Sequence, residues 1–451
     1  MSKGAVHFKA LGYDPLRMKP VHFAAGFFLS VAGSRYELES LNKAAVIKHK
    51  TGLRDDYAHE NLLAALKEAG LLDASVKESE LKALRLQLNG VVGNDDAIYG
   101  SFKPYNKPRG VAYTMVSDRL LYDHDPQDGY SGYFVHSVLN ATQDGKAVVG
   151  FAKQCLDNHT STLEQLIAPL LDADEPRDDW NCRYEEQFGE LDRKHLKQWA
   201  ALMSPQTKAL AILCRNLERG VSHPTKLRCL VVGLCSWLFI YLHKRAAEAH
   251  GQKGETPLLV MDFLGNTNAR LRAASRFCFA HQRGLVFESY GALRNAGRVN
   301  FDDELFAGKG GKGGKSAPVG QPDFSFLEQH YSDLSIRIGF AQPRAQQARR
   351  KHFELQPDTA RLLLLSLITP ENPLLTFEEL AALLRKVWGV CFGGCDDDLA
   401  TLRANGYEGL DEDADLEPNR DAFVDLLKRL NLATEPSDGL VLCAVNPEEL
   451  P

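Results

Sequence analysis

The chain is short of long, unbroken apolar runs. Its longest stretch free of both charged residues and histidine, Cys229 to Leu242, covers 14 residues and includes Gly233 and Ser236, whereas a spanning helix takes about 20 apolar residues. It reads as a buried helix. The opening MSKGAVHFKALGYDPLRMK holds no apolar signal core, so the expectation is a cytoplasmic protein without membrane attachment. Surplus positive charge is missing too. A formal net charge of −6 argues against a general nucleic-acid binder, because neutralising phosphates needs a basic face; a local basic face stays open. The nine cysteines are an odd number scattered through apolar stretches such as CLVVGLC, which fits small hydrophobes in a reducing compartment rather than a disulfide framework. Familiar catalytic signatures are absent as well: there is no G-x-S-x-G elbow, no H-E-x-x-H and no complete dinucleotide fingerprint.

Three near-misses narrow the chemistry further. In AGKGGKGGKSAPVGQP, from Ala307 to Pro322, a phosphate-binding loop would need glycine at position 309, which is lysine. The flanks are FDDELF and two prolines rather than a buried strand and a helix, so the segment reads as a flexible Gly/Lys-rich loop or linker. Asp95, Asp96, Asp123, His124, Asp125 and Asp128 supply metal-type ligands, but DHDPQDG lacks the glycine and glutamate of a calcium loop, and turn chemistry is the plainer reading. Cys391 and Cys395 have no second Cys or His pair nearby, which falls short of four zinc ligands; Gly393-Gly394 reads as a helix stop.

What is present is the composition of a globular protein, 44% hydrophobic and 25% charged over 451 residues, enough for about two to four domains. The expected fold class is mixed α/β and multidomain, helix-rich, with a central α/β unit and a C-terminal winged-helix-like module. The expected divisions are a 1–175 N-terminal α+β region with Tyr/Asp/Gly-rich loops, a 176–305 central α/β unit, a 306–322 loop, a 323–356 connector and a 357–451 C-terminal domain. Helical spacing recurs in YAHENLLAALKEAGLL, SELKALRLQL, STLEQLIAPLLDA, RKHLKQWAALM and QTKALAILCRNLERG.

The stretch from Pro224 to Ser289 is the organising feature. It reads as an apolar helix, a strand LLVMDF ending at Asp262, a polar turn, a basic helix and a second strand GLVFES ending at Glu288. The carboxyl end of a strand in an α/β sheet is where ligands bind, and a helix start offers free N–H groups to anions. If the two strands were neighbours, Asp262 and Glu288 would form a carboxylate pair beside Arg270, Arg272 and Arg276, the arrangement used in metal-assisted phosphodiester cleavage. The acid-x-Lys step that often accompanies such pairs is missing, since Ser289 and Tyr290 follow Glu288. A nucleic-acid path would join those arginines to Lys309, Lys312 and Lys315 and to Arg349, Arg350 and Lys351. The blander alternative is a solvated arginine face on an ordinary α/β layer.

The last stretch is the most regular. TARLLLLSLI is one helix; Thr376 and Glu379 have capping-box spacing before FEELAALLRKVWG; DDDLATLRANG and NRDAFVDLLKRLNL follow, and Ser437-Asp438-Gly439 turns a closing hairpin. This order resembles a winged-helix domain over about 90 residues. Winged helices commonly bind DNA, which the resemblance implies here too. Yet Asp396, Asp397, Asp398, Glu408, Asp411, Glu412, Asp413, Asp415 and Glu417 surround the third helix, opposed by Arg403 alone, a face that repels phosphates. A protein partner is the better expectation.

Two functions follow from different classes. The first is a non-catalytic adaptor or accessory subunit of a larger prokaryotic assembly, with a DNA-acting system such as phage defence or a mobile element among the candidates. It needs no cofactor, meets its protein partner through the acidic C-terminal module and touches DNA or RNA only through local basic segments. The alternative is a metal-dependent nuclease or other phosphodiester-acting enzyme centred on Asp262 and Glu288, with a divalent metal as its cofactor. A small-ligand sensor built on the loops between residues 90 and 140 ranks below both.

Overall fold

The computed structural model describes residues 11–13, 20–32, 35–36, 130–157, 176–177, 193–251, 256–295, 325–343, 350–437 and 440–444. Most of the Tyr/Asp/Gly-rich loops, the Gly/Lys-rich loop and the helices expected over 57–72, 79–88 and 161–173 lie outside the described residues. Within them the protein is helix-rich, with a few small sheets.

The elements in order are α1 (Pro20–Ala32), β1 (Arg35–Tyr36), α2 (Ser131–Asn140), α3 (Gln143–Asp157), β2 (Pro176–Arg177), α4 (Arg193–Leu202), α5 (Ser204–Leu217), α6 (His223–Ala249), β3 (Leu259–Val260), α7 (Ala269–Asn295) and α8 (Ser325–Arg337). They continue as β4 (Ala341–Gln342), β5 (His352–Phe353), α9 (Pro357–Leu365), β6 (Leu374–Thr376), α10 (Phe377–Leu383), β7 (Val390–Cys391), α11 (Asp398–Ala404), α12 (Glu417–Arg429), β8 (Ala433–Ser437) and β9 (Leu440–Ala444).

Helix α6 is the axis of the core. Its apolar residues are not confined to one stripe, so it must be covered from several sides. Residues Leu234, Cys235, Trp237, Leu238, Phe239, Ile240 and Tyr241 are fully buried, enclosed by α1, α3, α5, α7, α8 and α9. Among the described residues it is the one helix, over Thr225–Ala249, long and apolar enough to span a membrane, and 83% of its most apolar window is buried inside the protein. The expected buried helix is therefore present, and it runs well beyond Cys229–Leu242. Its polar groups are paired inside the core. Trp237 Nε1 donates to Thr207 Oγ1 at 3.0 Å, and His243 donates from Nδ1 to the Phe239 carbonyl while Nε2 accepts from Tyr331 O–H, each at 2.9 Å.

Strand β3 is short but central. Leu259 N–H donates to the Gly389 carbonyl and Met261 N–H to the Cys391 carbonyl, which makes β7 its parallel neighbour. On the other side Met261 bridges Phe353 in parallel, and β4 pairs antiparallel with β5. The order across this layer is β4-β5-β3-β7. Gly389, at φ 73°, ends the turn after α10, and a β-carbon there would strike the Pro257 carbonyl. It, rather than Gly393-Gly394, is the helix stop.

The expected strand GLVFES is a correction: residues 284–289 are the fifth turn of α7. Leu271, Ser275, Cys278, Phe279, Val286 and Ser289 recur at helical spacing and all are buried, so one face continues unbroken. The strands that flank β3 come instead from residues 352–353 and 390–391.

The C-terminal stretch forms α9, β6, α10, α11, α12 and a three-stranded antiparallel sheet of order β6-β9-β8. Thr376 and Glu379 make the expected capping box. The stretch is joined to the centre by more than β7. Asn419 donates to the Met261 and Phe392 carbonyls, both at 3.0 Å, and accepts from Phe263 N–H at 2.7 Å. Asn216 donates to the Leu365 and Ile368 carbonyls, and one continuous set of buried side chains runs from Leu11 to Cys443.

Candidate functional site

Asp262 leaves β3 at its carboxyl end, as its position after LLVM dictates, and its side chain is wholly buried. One oxygen, Oδ1, accepts from Leu264 N–H at 3.0 Å and Gly265 N–H at 3.1 Å, shaping the polar turn. The other accepts from Arg272 Nε, in the first turn of α7. Arg272 is also largely enclosed, and its guanidinium faces the end of β5. Nη1 lies 3.4 Å from His352 Nδ1, and Nη2 lies 4.0 Å from Glu354 Oε2.

Glu354 closes the cluster. His352 Nε2–H donates to Glu354 Oε2 at 3.0 Å, since a carboxylate can only accept. His352 Nδ1 is 3.2 Å from the Arg350 carbonyl, which calls for a donor, and beside Arg272, which calls for an acceptor, so those two contacts compete for one nitrogen. The result is a mixed-charge cluster, Asp262–Arg272–Glu354–His352, at the carboxyl edge of two parallel strands. Only Glu354, with 33% of its side chain exposed, opens to solvent. In the sequence His352 directly follows the basic run Arg349, Arg350 and Lys351, and Glu354 was overlooked; the trace that marks it is the short KHFEL segment of strand-like composition before Pro357.

Glu288 stands elsewhere. It is an exposed residue on α7, sixteen positions beyond Arg272, about 24 Å along the axis at 1.5 Å per residue. The structure brings Asp262 together with Arg272 and does not bring Glu288 to them. Of the cations expected on a nucleic-acid path, Arg270, Arg276 and Arg350 are exposed, while Arg272 and Lys351 turn inward. Burial holds the Lys351 pKa below its ordinary value, against the Asp333 carboxylate, which acts the other way. Arg349, Lys309, Lys312 and Lys315 lie outside the described residues.

A second group gathers after β7. Ligand atoms of Cys395, Asp397 and Asp398 lie within 4.8 Å of one another. A cation already sits there, because Arg385 Nη1 reaches Asp397 Oδ1 and Asp398 Oδ1, each at 2.7 Å. Asp398 Oδ2 also accepts from Gly393 and Cys395 N–H. Burial, aided by the Asp398 carboxylate, pushes the Cys395 thiol up to about 11, so without a bound cation it stays protonated at neutral pH. The group is a loop clamp built on Arg385.

The nine acidic residues around α11 divide accordingly, which corrects the expectation of one uniform face. Asp398 and Asp415 are buried; Asp415 accepts from Asp411 N–H at 2.9 Å and from Asn268 Nδ2 at 2.8 Å, with Arg270 at 3.3 Å. Asp396, Asp397, Glu408, Asp411, Asp413 and Glu417 remain exposed. Burial first, and then the neighbouring carboxylates of Asp398, Glu417 and Asp413 against Arg420, raises the pKa of Glu412. That is the response of a partly buried acid, reinforced by an anionic neighbourhood. No protein-family model, curated protein or solved structure matches this chain.

Proposed function

We propose that the protein is a non-catalytic adaptor or accessory subunit of a larger assembly, engaged through the surface of its 357–451 segment. The observation that carries this reading is the division just described. The buried carboxylates hold the loops in place, and Asp396, Glu408, Asp411 and Asp413 are left exposed to solvent on the stretch those loops belong to. Exposed anionic groups suit a basic protein surface and repel phosphate. In the same segment, Leu374 and Leu440 are 47% and 40% exposed on the outer face of the sheet, where they alternate with inward Leu375 and Cys443. Exposed large apolar side chains of this kind are a feature of association sites.

The order helix, β6, α10, further helices and a β8–β9 hairpin, with β6 against β9, supports the winged-helix reading of this segment, here in a protein-binding role. Deleting it would also remove β7 from the central layer, so surface substitutions make the cleaner test. Full-length tagged protein purified from its native host is expected to elute with a stoichiometric partner. The triple variant Asp396→Asn, Glu408→Gln, Asp413→Asn is expected to lose that partner while melting as the wild type does. A partner retained by the triple variant, or a chain that elutes alone, overturns the reading.

A second reading, a phosphodiester-acting enzyme, has one observation in its favour. Asp262, Arg272, His352 and Glu354 converge at the carboxyl edge of parallel strands, with Glu354 reachable from solvent. It expects cleavage that requires Mg²⁺ or Mn²⁺ and disappears in Glu354→Gln.

A further inference from the structure

Helix α7 has an outer face that the described residues leave largely uncovered. It packs on α6, β3, β5 and α8 through the face carrying Leu271, Ser275, Cys278, Phe279 and Val286, all buried. At 100° per residue the opposite line runs through Ala273, Phe277, Ala280 and Gly284. A solvent-facing helix line normally carries charged residues; this one carries none. Phe277 is 56% exposed, the largest value among the exposed large hydrophobics, with His281 stacked beside it at 5.9 Å and Tyr407 edge-on at 5.8 Å. A β-carbon on Gly284 would meet nothing within 4 Å. Glycine inside a helix costs about 1 kcal/mol relative to alanine, and no contact among the described residues asks for it.

We infer that this face is covered by α7 of a second copy, packed antiparallel about a two-fold axis passing between residues 278 and 279. The line is complementary to itself under that operation. Phe277 falls over Ala280 of the second copy, and Ala273 falls against its Gly284, so large meets small reciprocally, as an isologous contact requires. The absence of side chain at Gly284 lets the helices approach to the close end of the usual 8–10 Å. Charge agrees at both ends. Arg270 and Glu288 lie on the same flank, both exposed, and the dyad sets Arg270 of each copy beside Glu288 of the other. Arg270 keeps its contact to the buried Asp415 at 3.3 Å, which fixes its stem. On the opposite flank the same dyad brings the exposed Arg276 of one copy toward the half-buried Arg283 of the other, a like-charge pair that offsets part of the gain from Arg270 and Glu288. The pairing does not depend on the adaptor reading.

The test is sedimentation velocity of the full chain over a concentration series. The wild type is expected to shift from monomer to dimer as concentration rises, and Phe277→Glu to raise the dissociation constant by on the order of tenfold or more. Glu288→Arg is expected to weaken the dimer, and Arg270→Glu combined with Glu288→Arg to restore it, since the reversed pair forms across the dyad. Thermal melts of each variant separate loss of pairing from loss of fold. A wild type that stays monomeric throughout, a dimer unchanged by Phe277→Glu, or no restoration in a folded double variant overturns the inference. The first of these would give the face to a different partner.

Discussion

Asp262, Asp398 and Asp415 are buried aspartates with arginine and amide partners, whereas Asp396, Glu408 and Asp413 stand in solvent, five of these six in the stretch after β7. In composition the two sets are alike. Their surroundings differ completely, and so do their consequences. A carboxylate taken out of water persists only with a counter-charge and hydrogen bonds for its oxygens, and each buried aspartate has both. Such a group holds backbone together and has little left to offer a substrate. The exposed acids lose almost no hydration, contribute little to the fold and remain available to an outside cation.

This contrast makes the largest effect the removal of a buried member. Asp262→Ala strips the turn of its acceptor and leaves Arg272 enclosed without its nearest anion, so a loss of about 3–5 kcal/mol is expected in urea unfolding. Asn419→Ala leaves three backbone groups of the β3–β7 joint without their partner, and about 3 kcal/mol is expected by the same assay.

Acid adds a third test on the buried side. Burial lowers the pKa of His243 from 6.5 to about 4. Because the unfolded chain binds a proton there first, stability is full above the unfolded value and falls as pH drops from 6.5 toward 4. Its share is roughly 3 kcal/mol. In folded His243→Gln, the pH slope over that window is expected to shrink by about one proton. On the exposed side, Asp396→Asn, Glu408→Gln and Asp413→Asn are each expected to change stability by no more than about 0.5 kcal/mol. An exposed substitution as costly as Asp262→Ala would erase the distinction.

Much of the fold was legible because it is written locally. The apolar run around Trp237, the caps at Thr376 and Glu379, and the helices of the last 90 or so residues depend on neighbours in sequence. The central layer was not. Strand β3 finds its partners about 90 and 130 residues downstream, in strands of two residues each, too short for any alternation to register. GLVFES has the composition of a strand, yet it continues the buried face of α7, and tertiary packing decides between the two. At the candidate site, Asp262 and Arg272 were found because ten residues separate them across one turn. Glu354 was missed because only long-range pairing brings it near. The split among the acidic residues was hidden for a related reason, since burial of Asp398 and Asp415 depends on Arg385, Arg270 and Asn268, which sequence distance conceals.

The most direct test of the claim that the polar edge of β3 and β5 is a joint rather than a reactive centre is a cleavage assay. Purified full-length protein would be incubated with single- and double-stranded DNA and RNA in the presence of Mg²⁺ or Mn²⁺. The account predicts intact nucleic acid in every case. Cleavage by the wild type that disappears in folded Glu354→Gln would contradict it and make the Asp262–Arg272–Glu354–His352 cluster an active site.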